Sequence, residues 1–136
     1  LAQRMQQQLA AATRQVSTQN NTSLAIPDNA PQGVVSAVQI SDAAAVREIQ
    51  VAVSIEHSYL GDIEISLIAP SGKEVLLQSR NLGRKTNLQF TYSTQTTPAL
   101  KGLLNQPAQG RWQLRVVDRA PSDTGTLKNW QLTLGV

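Results

Sequence analysis

The chain has 136 residues, which is the length of one domain with a short additional segment. Its 12 basic and 9 acidic residues give a modest net charge of +3, and no apolar run approaches the roughly 20 residues of a membrane-spanning helix. Because the chain contains no cysteine and one histidine, disulfide frameworks and thiolate nucleophiles are excluded, and a histidine-based metal site is disfavoured.

The first 23 residues differ in pattern from the rest. Apolar residues at helical spacing form one stripe, made of Leu1, Met5, Leu9, Ala12 and Val16. This stripe predicts an amphipathic helix over residues 1–16, and a lone helix of this length needs a packing partner. The polar, uncharged residues 17–23 are typical of a linker, so we predict that a separate domain begins at residue 24.

From Leu24 onward, apolar residues recur at every second position, as in half-buried strands. The clearest alternating run comprises Ile49, Val51, Val53 and Ile55. Pro70-Ser71-Gly72 supplies a turn between two further runs and predicts a hairpin. The pattern gives about seven or eight short strands, which is typical of an antiparallel sandwich. We therefore predict an all-β domain over residues 24–136.

Several apolar side chains are candidates for particular places in this sandwich. Trp112 and Trp130 each lie on a strand with Leu two residues further on, and we expect both indoles in the core. Leucines after Pro98 are expected to form a loop plug over the core, with an interdomain patch as the alternative. They are Leu100, Leu103 and Leu104.

Catalytic and nucleic-acid-binding motifs are missing from the sequence. His57 is the only histidine, so any Ser-His-Asp site must use it, yet no Gly-x-Ser-x-Gly elbow is present. We interpret His57 as structural. The one tight basic group, formed by Arg80, Arg84 and Lys85, is interpreted as a solvated loop, so no nucleic-acid partner is predicted.

Aspartates in loops are the remaining signal for a ligand. Asp28, Asp62 and Asp118 each lie at a turn or at the end of a strand. Loop carboxylates with neighbouring carbonyls are the hard oxygen ligands that calcium prefers. The same residues also cap turns through hydrogen bonds to their own backbone. The spacing leaves both interpretations open.

Four blocks of sequence, taken in order, resemble the P domain, also called the Homo B domain. They are Ile26-Pro27-Asp28-Asn29, His57-Ser58-Tyr59-Leu60-Gly61-Asp62-Ile63, Leu67-Ile68-Ala69-Pro70-Ser71-Gly72, and Gly110-Arg111-Trp112-Gln113-Leu114-Arg115-Val116-Val117-Asp118 with the residues that follow. The resemblance covers roughly residues 24–136. Members often carry Arg-Gly-Asp where this chain has Leu60-Gly61-Asp62, so no adhesive role is inferred for that tripeptide.

The resemblance implies a fold, a partner and a function. The fold is a jelly-roll-like β-sandwich, and its partner is the upstream subtilisin/kexin-like serine protease catalytic domain of the same chain. The family's P domain has no catalytic triad; it packs on the protease domain, stabilises it and influences its calcium and pH dependence. The expected location is secreted, cell-surface or periplasmic, with Asp28, Asp62 and Asp118 as candidate calcium ligands. The alternative is a protein- or ligand-binding module attached to another secreted hydrolase, such as a metalloprotease.

Overall fold

The structure is a computed structural model that describes residues 14–27, 33–80, 82–119 and 125–136. These residues form nine strands and two short 3₁₀ helices, Leu60–Asp62 and Pro98–Leu103. All the strand pairs are antiparallel and are distributed over two sheets. None of the helices in the described part of the chain is long and apolar enough to span a membrane. The prediction of an all-β domain is confirmed.

Each sheet is built from strands that are far apart in sequence. The first sheet has the order β1-β9-β4-β7, with β2 also paired to β9; its strands are β1 (Gln15–Asn20), β2 (Leu24–Ile26), β4 (Glu48–His57), β7 (Asn87–Ser93) and β9 (Gly125–Gly135). The second sheet has the order β3-β8-β5-β6; its strands are β3 (Val34–Ile40), β5 (Ile63–Ile68), β6 (Glu74–Gln78) and β8 (Gly110–Asp118).

The segment predicted as a linker is partly a strand. β1 pairs with β9 along its whole length, from Gln15 opposite Gly135 to Asn20 opposite Trp130. The linker prediction is therefore wrong for residues 17–20, and the end of the predicted helix 1–16 is also wrong at Gln15 and Val16, while residues 1–13 lie outside the described part. An edge strand buries little of its surface, so uncharged polar residues that look like a linker in sequence suit it equally well.

The start of this strand is held by charge as well as by backbone pairing. The Arg14 guanidinium makes a bidentate contact with the Asp42 carboxylate, with a shortest N–O distance of 2.8 Å. The Ala44 backbone N–H and then Arg14 lower the pKa of Asp42 below its usual range. The sandwich therefore begins no later than Arg14, not at residue 24.

The core lies between the two sheets and contains the predicted apolar residues. The alternating positions Ile49, Val51, Val53 and Ile55 on β4 are all buried. Both indoles are buried, and their N–H groups donate to Ala108 O at 2.8 Å from Trp112 and to Ser36 Oγ at 2.9 Å from Trp130. The predicted core positions of the two tryptophans are confirmed.

The leucines after Pro98 close one part of the core. The second 3₁₀ helix begins at Pro98, and it buries Leu100 and Leu103 completely while Leu104 packs against the same cluster. Proline suits the first turn of a helix because it lacks the N–H that would be unpaired there. The loop plug is confirmed.

The side of the sandwich formed by β6 and β7 is held by a polar contact. The hydroxyl of Tyr92 on β7 donates a hydrogen bond of 2.8 Å to Oε1 of Gln78 on β6. The Tyr92 ring is buried, and burial raises the pKa of its hydroxyl above the ordinary value of 10.0.

We expect Tyr92 to make the stability of the protein depend on alkaline pH. Because the pKa of Tyr92 is raised in the folded state, its contribution is fully present below about pH 10 and is lost as the pH rises further. Urea unfolding of the protein and of the Tyr92→Phe variant between pH 8 and about 11 measures this. The difference in unfolding free energy between them should shrink above about pH 10; a constant difference would contradict the assignment.

Candidate functional site

The only histidine and two of the three candidate aspartates meet at one end of the sandwich. His57 ends β4 in the first sheet, and Asp118 ends β8 in the second. Ile63, at the start of β5, pairs with Asp118, so the preceding residue Asp62 lies beside the end of β8. The Arg119 N–H donates to the Asp62 carbonyl at 2.9 Å and fixes the two chain segments together. Antiparallel pairing of β5 with β8 therefore brings Asp62 beside Asp118, although the two residues are 56 positions apart in the chain.

His57 and Asp118 form a buried hydrogen bond that joins the two sheets. Nε2 of His57 lies 3.0 Å from Oδ2 of Asp118, and both side chains have 0% exposure. The Tyr59 backbone N–H donates to Nδ1 of His57 at 2.9 Å. Since Nδ1 accepts this bond, the ring proton lies on Nε2, which donates it to Asp118. The geometry thus assigns one tautomer of a neutral imidazole.

This arrangement argues against a catalytic base at His57. A general base needs one ring nitrogen with a lone pair directed at the proton to be removed. Both nitrogens of His57 are already used, by Asp118 and by the Tyr59 N–H, and the residue is 3% exposed. The pair has the composition of part of a triad, but its role here is to join and orient strands.

Two glycines allow close approaches between chain segments at this end of the sandwich. A Cβ on Gly125 would lie 2.5 Å from both the Glu56 carbonyl oxygen and Cδ2 of His57. A Cβ on Gly61 would lie 2.8 Å from the Gly83 carbonyl oxygen and 2.9 Å from the Tyr59 ring. Both distances are too short for a side chain, so the close approach requires glycine.

The candidate calcium ligands do not assemble a calcium site within the described residues. Asp118 is engaged with His57, and Asp62, whose side chain is 14% exposed, has Arg80 Nη2 at 3.6 Å from its Oδ1. Asp28 lies outside the described part of the chain. Nowhere in residues 14–27, 33–80, 82–119 and 125–136 do three or more acidic or histidine side chains group in a way that could hold a metal. The Asp62 carboxylate therefore already has the positive charge of Arg80 beside it.

A shallow polar depression lies beside the His57 end of the first sheet. It is lined by Glu56, Ser58, Thr86, Asn87 and Thr126 together with His57 and Gly125. Glu56, at its rim, is paired with Lys128 at 3.3 Å. A depression this open does not enclose a small molecule as ligand pockets do.

The partners of His57 and Asp62 were the part of this site that sequence reasoning missed. The Tyr59 N–H belongs to a backbone turn, which carries no residue-type signal. The sequence predicts only a solvated basic loop for Arg80, whereas the structure pairs this residue with Asp62. Its 18-residue separation from Asp62 gives no spacing pattern from which the pair could be inferred.

These features define a β-sandwich domain with a buried structural histidine at one end. The family model described as the proprotein convertase P-domain matches residues 46–134. The chain belongs to this P-domain family.

Several bacterial proteases are similar to the chain. The chain is 34% identical over 113 residues to the "Calcium-dependent protease" of Trichormus variabilis, which covers 81% of the chain and 17% of that protein. It is 32% identical over 117 residues to the "Transglutaminase-activating metalloprotease" of Streptomyces mobaraensis, covering 85% and 14%. The structure superposes on the serine protease of Aeromonas sobria with a TM-score of 0.73 at 21% identity, covering 95% of this chain and 29% of that one. The chain thus spans less than a fifth of the two curated relatives.

We expect the His57–Asp118 pair to be important for stability. His57→Ala removes the donor and leaves a buried carboxylate without this partner, which should cost about 3–5 kcal/mol. Asp118→Asn keeps an acceptor oxygen for Nε2 and should cost less, about 1–3 kcal/mol. Urea unfolding of both variants measures the difference. Costs below about 1 kcal/mol for His57→Ala would show that the pair does not hold the sheets together.

Proposed function

We propose that this chain is a noncatalytic, C-terminal P domain that packs on and stabilises a subtilisin/kexin-like serine endopeptidase domain of the same secreted polypeptide. The observation that carries the proposal is the family match over residues 46–134 combined with a sole histidine whose two ring nitrogens are both engaged within the fold. The relatives are named as proteases, and the match covers only a small share of their length, so most of each relative lies outside the matched domain.

The mechanism proposed is thermodynamic linkage within one polypeptide. A domain that docks on the folded protease domain but not on its unfolded form shifts the equilibrium toward the folded form. Because the two are joined covalently, the effective concentration is in the millimolar range for short linkers, so a weak interface is sufficient. Interdomain interfaces of this kind bury about 600–1,500 Å².

A cavity variant in the core tests this proposal in the full-length protein. Leu114 on β8 is fully buried and lies outside the candidate site, so Leu114→Ala should destabilise this domain by about 2–5 kcal/mol. The temperature at which proteolytic activity is lost should then fall, while kcat/KM measured well below that temperature stays unchanged.

The matched control is Gln39→Ala, at an exposed position on β3, which should leave the inactivation temperature unchanged. If Leu114→Ala unfolds this domain without changing the thermal inactivation of the protease, the stabilising role is disproved. A loss of kcat/KM at low temperature with the fold intact would instead point to a direct part in catalysis.

A second candidate is a binding module on a secreted metalloprotease. The metalloprotease named among the relatives favours it, because that relative covers 85% of this chain. Activity of the full-length protein that resists a serine-directed covalent inhibitor but is lost with a zinc chelator would support this alternative. The opposite response supports the serine endopeptidase.

The strand order supports the proposal that the sandwich is a jelly roll. Apart from β2, the chain places four strands in each sheet, ordered β1-β9-β4-β7 and β3-β8-β5-β6. Neighbours such as β3 and β8, or β4 and β9, are far apart in the chain, as expected when a long antiparallel ribbon wraps into two facing sheets.

Calcium is proposed as a ligand of the protein, with Asp28, Asp62 and Asp118 as candidate residues. Support comes from the relative named a calcium-dependent protease and from the oxygen ligands that these loops provide. Within the described residues, calcium at Asp62 would compete with Arg80, whose Nη2 lies 3.6 Å from Oδ1 of this carboxylate.

Thermal melting with calcium and with excess chelator tests the ligand assignment. An extracellular type of site with a dissociation constant of about 1 mM would stabilise the fold by about 1.4 kcal/mol at about 10 mM calcium, a shift of a few degrees. Asp62→Asn should abolish the shift, whereas Asp42→Asn, which also removes one carboxylate paired with an arginine, should retain it. An unchanged melting temperature in calcium would contradict calcium binding by this domain, and the proposed stabilising role would be unaffected.

A further inference from the structure

The four edge strands of the sandwich differ in how they are protected from pairing with another strand. β6 is five residues long, carries Glu74, and its pairing with β5 has a register shift between Ile65 and Ser66. β3 is partly covered because the Asn20 side chain on β1 donates to the Ala37 carbonyl at 2.9 Å. β1 supplies the Asn20 side chain of that contact, so the edges of β1 and β3 lie next to each other there. Arg14, which precedes the first residue of β1, places a charge at the other end of this strand and pairs with Asp42. Charges, short length and irregular pairing are the usual means by which proteins block an open edge.

β7 has none of these protections. Its sequence from Asn87 to Ser93 contains no charged residue, no proline and no glycine, and its pairing with β4 runs over seven residues without a register shift. A regular, uncharged strand of this length at the edge of a sheet is a template for the addition of another strand.

The backbone groups that β7 presents at this edge follow from the hydrogen bonds at its two ends. His57 N–H donates to Thr86 O, and Thr94 N–H donates to Ile49 O, so the even-numbered residues face β4. In a regular antiparallel pair the intervening residues face the other way. Ser93 is already satisfied, since Thr96 Oγ1 accepts from its N–H and its carbonyl accepts from Thr97 N–H. Asn87, Gln89 and Thr91 therefore present six outward backbone groups, and none of them has a protein partner among the described residues.

An exposed aromatic ring marks the same strand. Phe90 lies opposite Val53 and therefore on the core-facing side of β7, but it is 47% exposed because no strand lies beyond it. Its ring contacts the buried Tyr92 ring edge to face, with centroids 4.8 Å apart. A strand added next to β7 would cover this ring, and Phe90 would lie in a non-hydrogen-bonded pair, where facing side chains are closest.

We propose that β7 is the docking edge of this domain and that an extended segment from the remainder of the same polypeptide adds to it as an antiparallel or parallel strand. This inference rests on the proposed function, since it names the surface through which the domain meets its partner. The segment chemistry follows from the edge: about five to seven residues without proline, an apolar or aromatic side chain over Phe90, and polar side chains beside Gln89 and Thr91.

The size of the edge favours a segment of the same polypeptide over a second copy of the chain. One strand of seven residues spans about 23 Å and provides only three residues for hydrogen bonding. An edge of this size is by itself too small to bury the roughly 1,000 Å² of a stable intermolecular interface. A covalently linked segment needs far less intrinsic affinity, because its effective concentration is in the millimolar range. The curated relatives are several times longer than this chain, so they contain further polypeptide that is long enough to include such a segment.

Hydrogen exchange of the full-length protein tests the proposal directly. The N–H groups of Asn87, Gln89 and Thr91 should exchange roughly 100-fold more slowly than unstructured amides if a strand covers them. Gln89→Pro removes one outward N–H without touching the pairs with β4, and it should restore fast exchange at Asn87 and Thr91 and lower the inactivation temperature of the protease. Thr91→Lys, which adds a charge to the edge, should act in the same direction if Gln89→Pro folds poorly.

Gln39→Pro is the matched control, since Gln39 is an exposed glutamine on edge strand β3 whose backbone also faces away from its neighbour. It should leave exchange at β7 unchanged. Fast exchange at all three β7 amides in the wild-type protein would overturn the docking edge. If Leu114→Ala still lowers the inactivation temperature in that case, the stabilising role stands and acts through another face. If sedimentation shows a dimer and Gln89→Pro dissociates it, the strand that pairs with β7 belongs to a second copy of the chain and not to a segment of the same polypeptide.

Discussion

The buried hydrogen bond between His57 and Asp118 is the constraint on which the rest of this domain depends. One partner belongs to β4 and the other to β8, so the bond fixes the position of one sheet over the other at this end of the sandwich. The Trp130 indole N–H and Ser36 hydroxyl form a second such link between the sheets. Apolar contacts are not directional, whereas a buried polar pair has one favourable geometry, so these two bonds select a single alignment of the sandwich.

The same bond explains why His57 is not available as a catalytic base in this fold. A histidine that donates to a buried carboxylate and accepts from a backbone N–H has no nitrogen left for a substrate. Asp118 and Asp62 were sequence candidates for metal binding, and the structure shows both already paired. The ionisable side chains at this end of the sandwich therefore hold its loops together.

β7 carries two aromatic residues, Tyr92 and Phe90, in contrasting environments. Tyr92 on this strand closes the open side of the sandwich by its bond to Gln78, and Phe90 beside it stays exposed. Two aromatic residues on one face of one strand thus have opposite environments because the second sheet ends at β6. A partner strand over Phe90 would extend the first sheet by one member and place its side chains beside a rigid, already stabilised edge.

The sequence by itself determined the elements that depend on local pattern. Alternation on β4, the Pro70-Ser71-Gly72 turn, the two buried tryptophans and the plug after Pro98 were all predicted, because burial on one face of a strand leaves a period of two in the chain.

Tertiary structure alone decided the features that have no such pattern. The polar residues 17–20 form a strand because they pair with the edge of β9. Arg80 contacts Asp62 because the fold places the segment that contains Arg80 beside Asp62. The exposed edge of β7 also has no sequence signal, because whether a strand has one neighbour or two is set by the order of the sheet and by residues distant in the chain.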